Sequence, residues 1–305
     1  MKITKVEKKK IAIVGCGKWS KKICSYLEFD DNFELDSIVC KNINNYKFFK
    51  NKKIFNSIKD LINTRTIDGI YIAGTPSLNL KMIQEIIEYN IPTILEKPIS
   101  DKYDQAKKIY EICMKKNFSI ILNQSHFYDP IYNYFKMLIK NKKEIKKIII
   151  IEGGFGPFRK NINPILDWGI HSFCSYIDLT NNIPKIKNKI TVKKDNYGGL
   201  VKKINLIDNM NIEGSILTGN LFKKKTRLIK IIFEKRDANI LLDLVNRKIF
   251  TENNYRKNIF SNKKTSFDNL FNIFLNNIQN KNGNKKYFNI FKTSLCAQKL
   301  IEEII

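Results

Sequence analysis

Alanine is almost missing from this chain, with five residues in 305, and arginine is scarce, with six against forty-nine lysines. Asparagine occurs thirty-seven times. Lysine, asparagine and isoleucine have A/T-rich codons and alanine has G/C-rich ones, so the skew is that of an A/T-biased genome filling solvated faces. The formal net charge of +26 therefore does not mark a nucleic-acid surface. Such surfaces use the bidentate guanidinium, which this chain hardly has. Nucleic acid is not an expected partner, although the charge favours anionic small ligands such as nucleotide sugars. No run reaches the roughly 18 uninterrupted apolar residues of a membrane span. The basic start, MKITKVEKKK, leads straight into the first apolar run without a signal-peptide core. A cytoplasmic protein without a membrane partner is expected. The cysteines (Cys16, Cys24, Cys40, Cys113, Cys174, Cys296) show no C-x-x-C spacing. That argues against a zinc ribbon or a redox pair and predicts reduced thiols.

What is present is organised around KIAIVGCGKWSKKICSYL, residues 10–27. Ile11 to Val14 is a continuous apolar run, the mark of a strand buried on both faces. Gly15 and Gly17 break it, and apolar residues then recur at helical spacing at Trp19, Ile23, Tyr26 and Leu27. Strand, glycine turn and helix form the dinucleotide fingerprint G-x-G-x-x-G, with the small Ser20 in the third glycine's place. Gly15, Cys16, Gly17, Lys18 and Trp19 are the expected pyrophosphate-side residues. The plainer alternative is a βα turn that binds nothing. Strands are predicted over 33–40, 69–73, 93–95 and 119–122, with helices at 55–64, 78–89 and 103–116. This alternation predicts a Rossmann-type α/β domain, a doubly wound parallel sheet, over 1–122. Residues 123–305 change rhythm. Helices are predicted at 130–140 and 165–179. Strands follow at 146–152, 190–192, 200–207, 211–217, 228–234, 238–244 and 248–250, and the last forty residues turn helical. That reads as an α+β domain with a large, mostly antiparallel open sheet. The stretches 251–264 and 280–286 read as solvated loops.

A dinucleotide fold places a carboxylate at the end of its second strand, on the ribose 2′-hydroxyl. Here that end reads Cys40-Lys41-Asn42, and Asp36 falls too early. Lys41 facing a 2′-phosphate inclines the expectation to NADP over NAD, unless Lys41 is one more solvated lysine. Lys97, in Glu96-Lys97-Pro98, stands at the carboxyl end of a strand, where open sheets bind ligands. A desolvated lysine there can donate to a substrate oxygen; otherwise it is a surface lysine before a helix. Asp167 and His171 lie four apart and so share a helix face. His171 suits proton transfer, unless the two form a helix-internal ion pair. One carboxylate and one imidazole are too few for a metal, and none is expected. His126, in NQSHFYDP, either lines the pocket or is merely exposed. Arg159 is a candidate clamp for an anionic substrate.

The glycine turn, E-K-P at a strand end and D-x-G-x-H on a helix of a second domain together resemble the Gfo/Idh/MocA oxidoreductases. The resemblance spans essentially the whole chain. Gly74-Thr75-Pro76-Ser77-Leu78 resembles the loop after the third main strand, with Asn79 where a histidine is common. Thr75, Pro76, Glu96 and Lys97 join the expected cofactor-side residues. The resemblance implies a hydride exchanged between NAD(P) and a carbinol or carbonyl carbon of a sugar, cyclitol or nucleotide sugar. Lys97 would bond the reacting oxygen, His171 would act as general acid/base and Asp167 would orient the substrate hydroxyl. A cis peptide at Lys97–Pro98, a last helix (287–305) returning towards the first domain, and a homo-oligomer, dimer or tetramer, are also implied. The competing reading is a non-catalytic dinucleotide-binding sensor of the same fold. An imine or diketone reductase would share the cofactor chemistry but not the substrate.

Overall fold

A computed structural model describes residues 7–41, 49, 52–139, 144–234, 239–251, 254–259, 264–280 and 285–305. The chain divides into two units. One runs to Asn123 and includes Leu270–Phe291; the other is Gln124–Asn269 with Lys292–Ile305.

The first unit holds β1 (Lys9–Val14), α1 (Lys18–Leu27), β2 (Phe33–Val39), β3 (Lys53–Phe55), α2 (Ile58–Thr64), β4 (Gly69–Ile72), α3 (Asn79–Ile87), β5 (Thr93–Glu96), α4 (Tyr103–Lys115) and β6 (Ile120–Asn123). The six strands pair in parallel in the order β3-β2-β1-β4-β5-β6. That is the doubly wound order with its switch point beside β1, where such sheets bind ligands. Ile11, Ala12, Ile13, Ile70, Tyr71, Ile72, Ile94 and Leu95 are fully enclosed, as strands covered on both faces require. β3 is a strand that sequence pattern misses. Three residues are too few to show a period, and their pairing with Ser37, Ile38 and Val39 fixes them as an edge. From α7 (Ser266–Asn280), Phe271 stacks on Tyr26 and meets Phe33 edge-on. A Cβ on Gly69 would lie 2.5 Å from the Phe274 ring, so glycine is what lets the aromatic ring reach β4.

The second unit holds α5 (Pro130–Leu138), β7 (Ile145–Phe155), α6 (Pro164–Thr180), β8 (Lys185–Lys194), β9 (Leu200–Ile207), β10 (Glu213–Gly219), β11 (Leu221–Phe233), β12 (Ile240–Asp243), β13 (Lys248–Thr251) and β14 (Asn254–Ile259). α8 (Lys285–Glu302) begins in the first unit and ends in the second. The sheet order is β14-β13-β12-β11-β7-β10-β9-β8, antiparallel except for the β7–β10 pair. β14 corrects the reading of 251–264 as loop: Asn254–Ile259 pairs with β13, a long-range partner that no local pattern announces. In the other expected loop, Lys285 already opens α8, and 281–284 lie outside the described residues. Alternate residues of β7 and β11, Ile148 and Ile150 with Ile229 and Ile231, turn one face inward. α6 covers that face and is buried almost all round, with Phe173, Cys174 and Tyr176 in the core.

Candidate active site

In the first unit the site begins at the turn between β1 and α1. Gly15 has φ +114°, and a Cβ there would stand 2.7 Å from the Ala73 carbonyl oxygen, so only glycine fits. Its N–H donates to the Val39 carbonyl at 2.9 Å, holding the turn against β2. Gly17 is the N-cap of α1 and, as a glycine, offers the helix no side-chain cap. A Cβ on Gly17 would meet nothing within 4 Å. An uncapped helix start beside open space suits a pyrophosphate, which would accept from the first N–H groups at the positive end of the helix. Gly17, Lys18 and Trp19 are exposed, and Ser20 is buried beneath them.

The sequence that follows β2, Cys40-Lys41-Asn42, holds no carboxylate. Asp36 points to Arg65, which donates from Nε at 3.1 Å and from Nη2. Burial would raise the Asp36 carboxyl, but the Arg65 bonds and charge outweigh it and hold it below its ordinary value. Lys41 is exposed. One expectation fails here. Cys16 and Cys40 are not both reduced thiols but are joined by a disulfide, with Cα atoms 5.7 Å apart. Val14 and Val39 are register partners, so the residues just past both strand ends come together. A spacing of 24 residues carries no local sign of this.

The end of β5 is built around the Glu96 carboxylate. It accepts from the Tyr71 hydroxyl, from the Trp19 indole N–H and from Asn123 Nδ2 at 2.6 Å. Burial pushes the Glu96 carboxyl up against the opposing pull of these donors, and pushes the Tyr71 hydroxyl well up too, so Tyr71 remains a donor. Lys97 is half-buried and its bond to Pro98 is cis. Asn79 donates from Nδ2 to the Ile99 carbonyl at 3.0 Å, fastening the loop after that bond to the start of α3. Pro76 opens a short 3₁₀ turn, Pro76–Leu78, with the exposed Thr75 at its cap.

The second unit presents its own cluster on α6. Asp167 and His171, four apart, are 7% and 8% exposed. Arg159 lies 3.6 Å from the Asp167 carboxylate, so the proposed clamp pairs within the protein. The glycines of β7 and α6 set the helix in place. A Cβ on Gly154 would touch the Trp168 ring at 2.8 Å, and one on Gly169 would lie 3.1 Å from Thr218. Trp168 also donates from its indole to the Gly156 carbonyl at 3.0 Å. His126, in the 3₁₀ turn Ser125–Tyr128, is 1% exposed rather than on an open loop. Its ring meets that of His171 edge-to-face, centroids 5.5 Å apart. Burial, then the charges of Arg227 and Lys136, hold the His126 imidazole well below its ordinary value, so it is neutral.

Sequence reasoning missed two groups. Tyr71 and Asn123 converge on Glu96 because β6 pairs Asn123 with Glu96, a register not visible locally. Glu152 and Arg227, cross-strand partners on β7 and β11, form a buried ion pair at 2.6 Å, and Ser172 on α6 donates to Glu152 at 3.3 Å. The one sign was a glutamate directly after the isoleucine run of β7. Among the described residues no cluster of three or more His, Cys, Asp or Glu could hold a metal ion. None of the helices described is long and apolar enough to cross a membrane.

Residues 9–124 match the model of the oxidoreductase family with an NAD-binding Rossmann fold, Gfo/Idh/MocA. An uncharacterized protein of Saccharomyces cerevisiae is 22% identical over 265 residues, covering 78% of this chain and 75% of its own. Among solved structures, the UDP-N-acetylglucosamine 3-dehydrogenase GnnA of Acidithiobacillus ferrooxidans superposes with a TM-score of 0.77 at 14% identity, over 98% of this chain and 99% of that one. The 3-ketoreductase KijD10 of Actinomadura kijaniata, solved with NADP, gives 0.82 at 11% identity, over 98% and 97%. At these identities the structural likeness establishes the fold.

Proposed function

We propose, on the premise that residues 9–124 belong to the Gfo/Idh/MocA oxidoreductase family with its NAD-binding Rossmann fold, that this protein is an NAD(P)-dependent dehydrogenase or reductase. Its substrate is a sugar, cyclitol or nucleotide sugar that exchanges hydride at a carbinol or carbonyl carbon. The observation that carries the reading is the uncapped start of α1 beside the open space at Gly17. The dinucleotide, when bound, supplies or accepts the hydride. Gly15, Cys16, Gly17, Lys18 and Trp19 hold its pyrophosphate side, and Lys41 favours a 2′-phosphate, hence NADP over NAD. NADP in KijD10 and the nucleotide-sugar substrate named for GnnA point the same way.

The chain's own residues divide the remaining work. Lys97 donates a hydrogen bond to the reacting oxygen and steadies its charge. Its neighbour Glu96 is fixed by three donors, so the strand end that carries Lys97 is held firmly. His171 takes the hydroxyl proton in oxidation and returns it in reduction. Asp167 orients the substrate hydroxyl from one turn earlier on the same helix face.

The test is His171→Ala with a panel of UDP-sugars and free sugars, following nicotinamide absorbance. Turnover is expected to fall by about 10²–10⁴-fold, while NADPH affinity stays near wild type. Equal loss of both would remove the role assigned to His171. NADPH binding by the wild type with no turnover on any carbinol or carbonyl substrate would favour the sensor.

A further inference from the structure

The disulfide lies where the proposed cofactor would be held. Cys16 stands between the two glycines of the turn, and Cys40 directly follows β2. In a dinucleotide fold these segments serve two different parts of the ligand, the turn its pyrophosphate and the end of the second strand its adenosine ribose. At that end this chain has no carboxylate; it has a sulfur bonded to the turn. The bridge ties the Cys16 side chain to the residue after β2, and so joins the segment that serves the pyrophosphate in such folds to the one that serves the ribose.

The pair is also set apart from the other cysteines. Cys24, Cys113 and Cys174 are buried thiols, and burial pushes Cys24 up to about 11, Cys113 up to about 12 and Cys174 further. Cys296, half-buried, is raised as well. Thiols held protonated exchange slowly, because the thiolate is the nucleophile. Cys16 is half-exposed and Cys40 is almost covered, so an incoming thiolate reaches the bridge at Cys16.

We propose that Cys16 and Cys40 form a reversible thiol–disulfide modification site that sets dinucleotide affinity, weak when bridged and tight when reduced. The proposal rests on the dinucleotide-binding reading given above. The reductant is a low-molecular-weight thiol of the glutathione class. Its thiolate attacks Cys16 Sγ, the Cys16–Cys40 bond breaks, and Cys40 leaves as a thiolate that takes a proton. A second thiol then attacks the mixed disulfide and releases Cys16. Two protein thiols are gained and one disulfide of the reductant is formed; the reverse sequence, driven by that disulfide, rebuilds the bridge. Reduction unties the two segments and lets the glycine turn adjust to the pyrophosphate.

The experiment uses the full chain equilibrated in reduced glutathione and, separately, in glutathione disulfide. Alkylation followed by peptide mass analysis reads the state of Cys16 and Cys40, and nicotinamide fluorescence reads NADPH affinity in each buffer. The expected result is a Cys16–Cys40 linkage confined to the oxidised sample, with NADPH bound about tenfold more weakly there. The Cys16→Ser/Cys40→Ser double variant, which keeps neither thiol of the pair, should show a single affinity in both buffers. Absence of the linkage in glutathione disulfide, equal or tighter binding by the bridged form, or a redox dependence that survives in the Cys16→Ser/Cys40→Ser double variant would each overturn the proposal. Equal binding by both wild-type forms would remove the switch and leave the dinucleotide reading intact, whereas binding by neither form would remove both. The wild-type comparison needs no variant to fold.

Discussion

Both ring nitrogens of His126 are buried without a hydrogen-bond partner among the described residues. Its imidazole is held neutral by burial and by the charges of Arg227 and Lys136. In the unfolded chain it returns to an ordinary value near 6.5. Below that pH the unfolded chain takes up a proton that the folded chain refuses, so stability is lost as pH falls. For one full proton the limiting slope is about 1.4 kcal/mol per pH unit. Denaturant unfolding of wild type and His126→Phe between about pH 7.5 and 5.5 isolates this contribution, and the variant should lose less stability on acidification. Parallel pH profiles would show that His126 is charged, or partnered, in the native state. The type of this residue was plain in the sequence; its burial was not, because that depends on Tyr132 and His171, which meet it from two helices. Glu96 is a similar case. E-K-P marked the position, but its donors Tyr71 and Asn123 come from neighbouring strands and Trp19 from α1.

Two glycines separate folding from binding at the level of the elements. Gly154 on β7 lies so close to the Trp168 indole that a Cβ would stand 2.8 Å from its ring, and the indole is held by its bond to Gly156. Gly154→Ala should cost about 1–3 kcal/mol through overpacking and shift the start of α6, so thermal stability and turnover fall together. Gly17 is the opposite case, because a Cβ there meets no protein atom within 4 Å and its φ of −79° suits any residue. Gly17→Val should unfold close to wild type yet lose NADPH affinity, because in the proposed binding mode its side chain would fill the pyrophosphate's place. A marked fall in stability would mean that Gly17 serves the fold instead. The elements that were legible in advance carry a strong local signal: the apolar run and glycines of β1–α1, the alternation in β11, and the Asp167–His171 spacing on α6. The elements that were missed, β3 and β14, are short edge strands defined by the neighbour they pair with. The Cys16–Cys40 bridge arises in the same way, from two strands that end level.

For the whole molecule, the strand–helix alternation of the first 122 residues and the run of strands after them foretold a Rossmann-type sheet and a second, mostly antiparallel sheet, and both are present. The residues that sequence places together by spacing, Gly15 with Gly17 and Asp167 with His171, are each brought to one turn or one helix. The buried Glu152–Arg227 pair required the register of an eight-stranded sheet and could not be read from the chain. Every functional step assigned here depends on one property, the binding of a nicotinamide dinucleotide at the β1–α1 turn. The most direct test is a fluorescence titration of the reduced protein with NADPH and, separately, NADH. Saturable binding, tighter for NADPH, is the predicted result and would support Lys41 as the 2′-phosphate contact. Binding of neither dinucleotide would contradict the account and leave the glycine turn a structural feature alone.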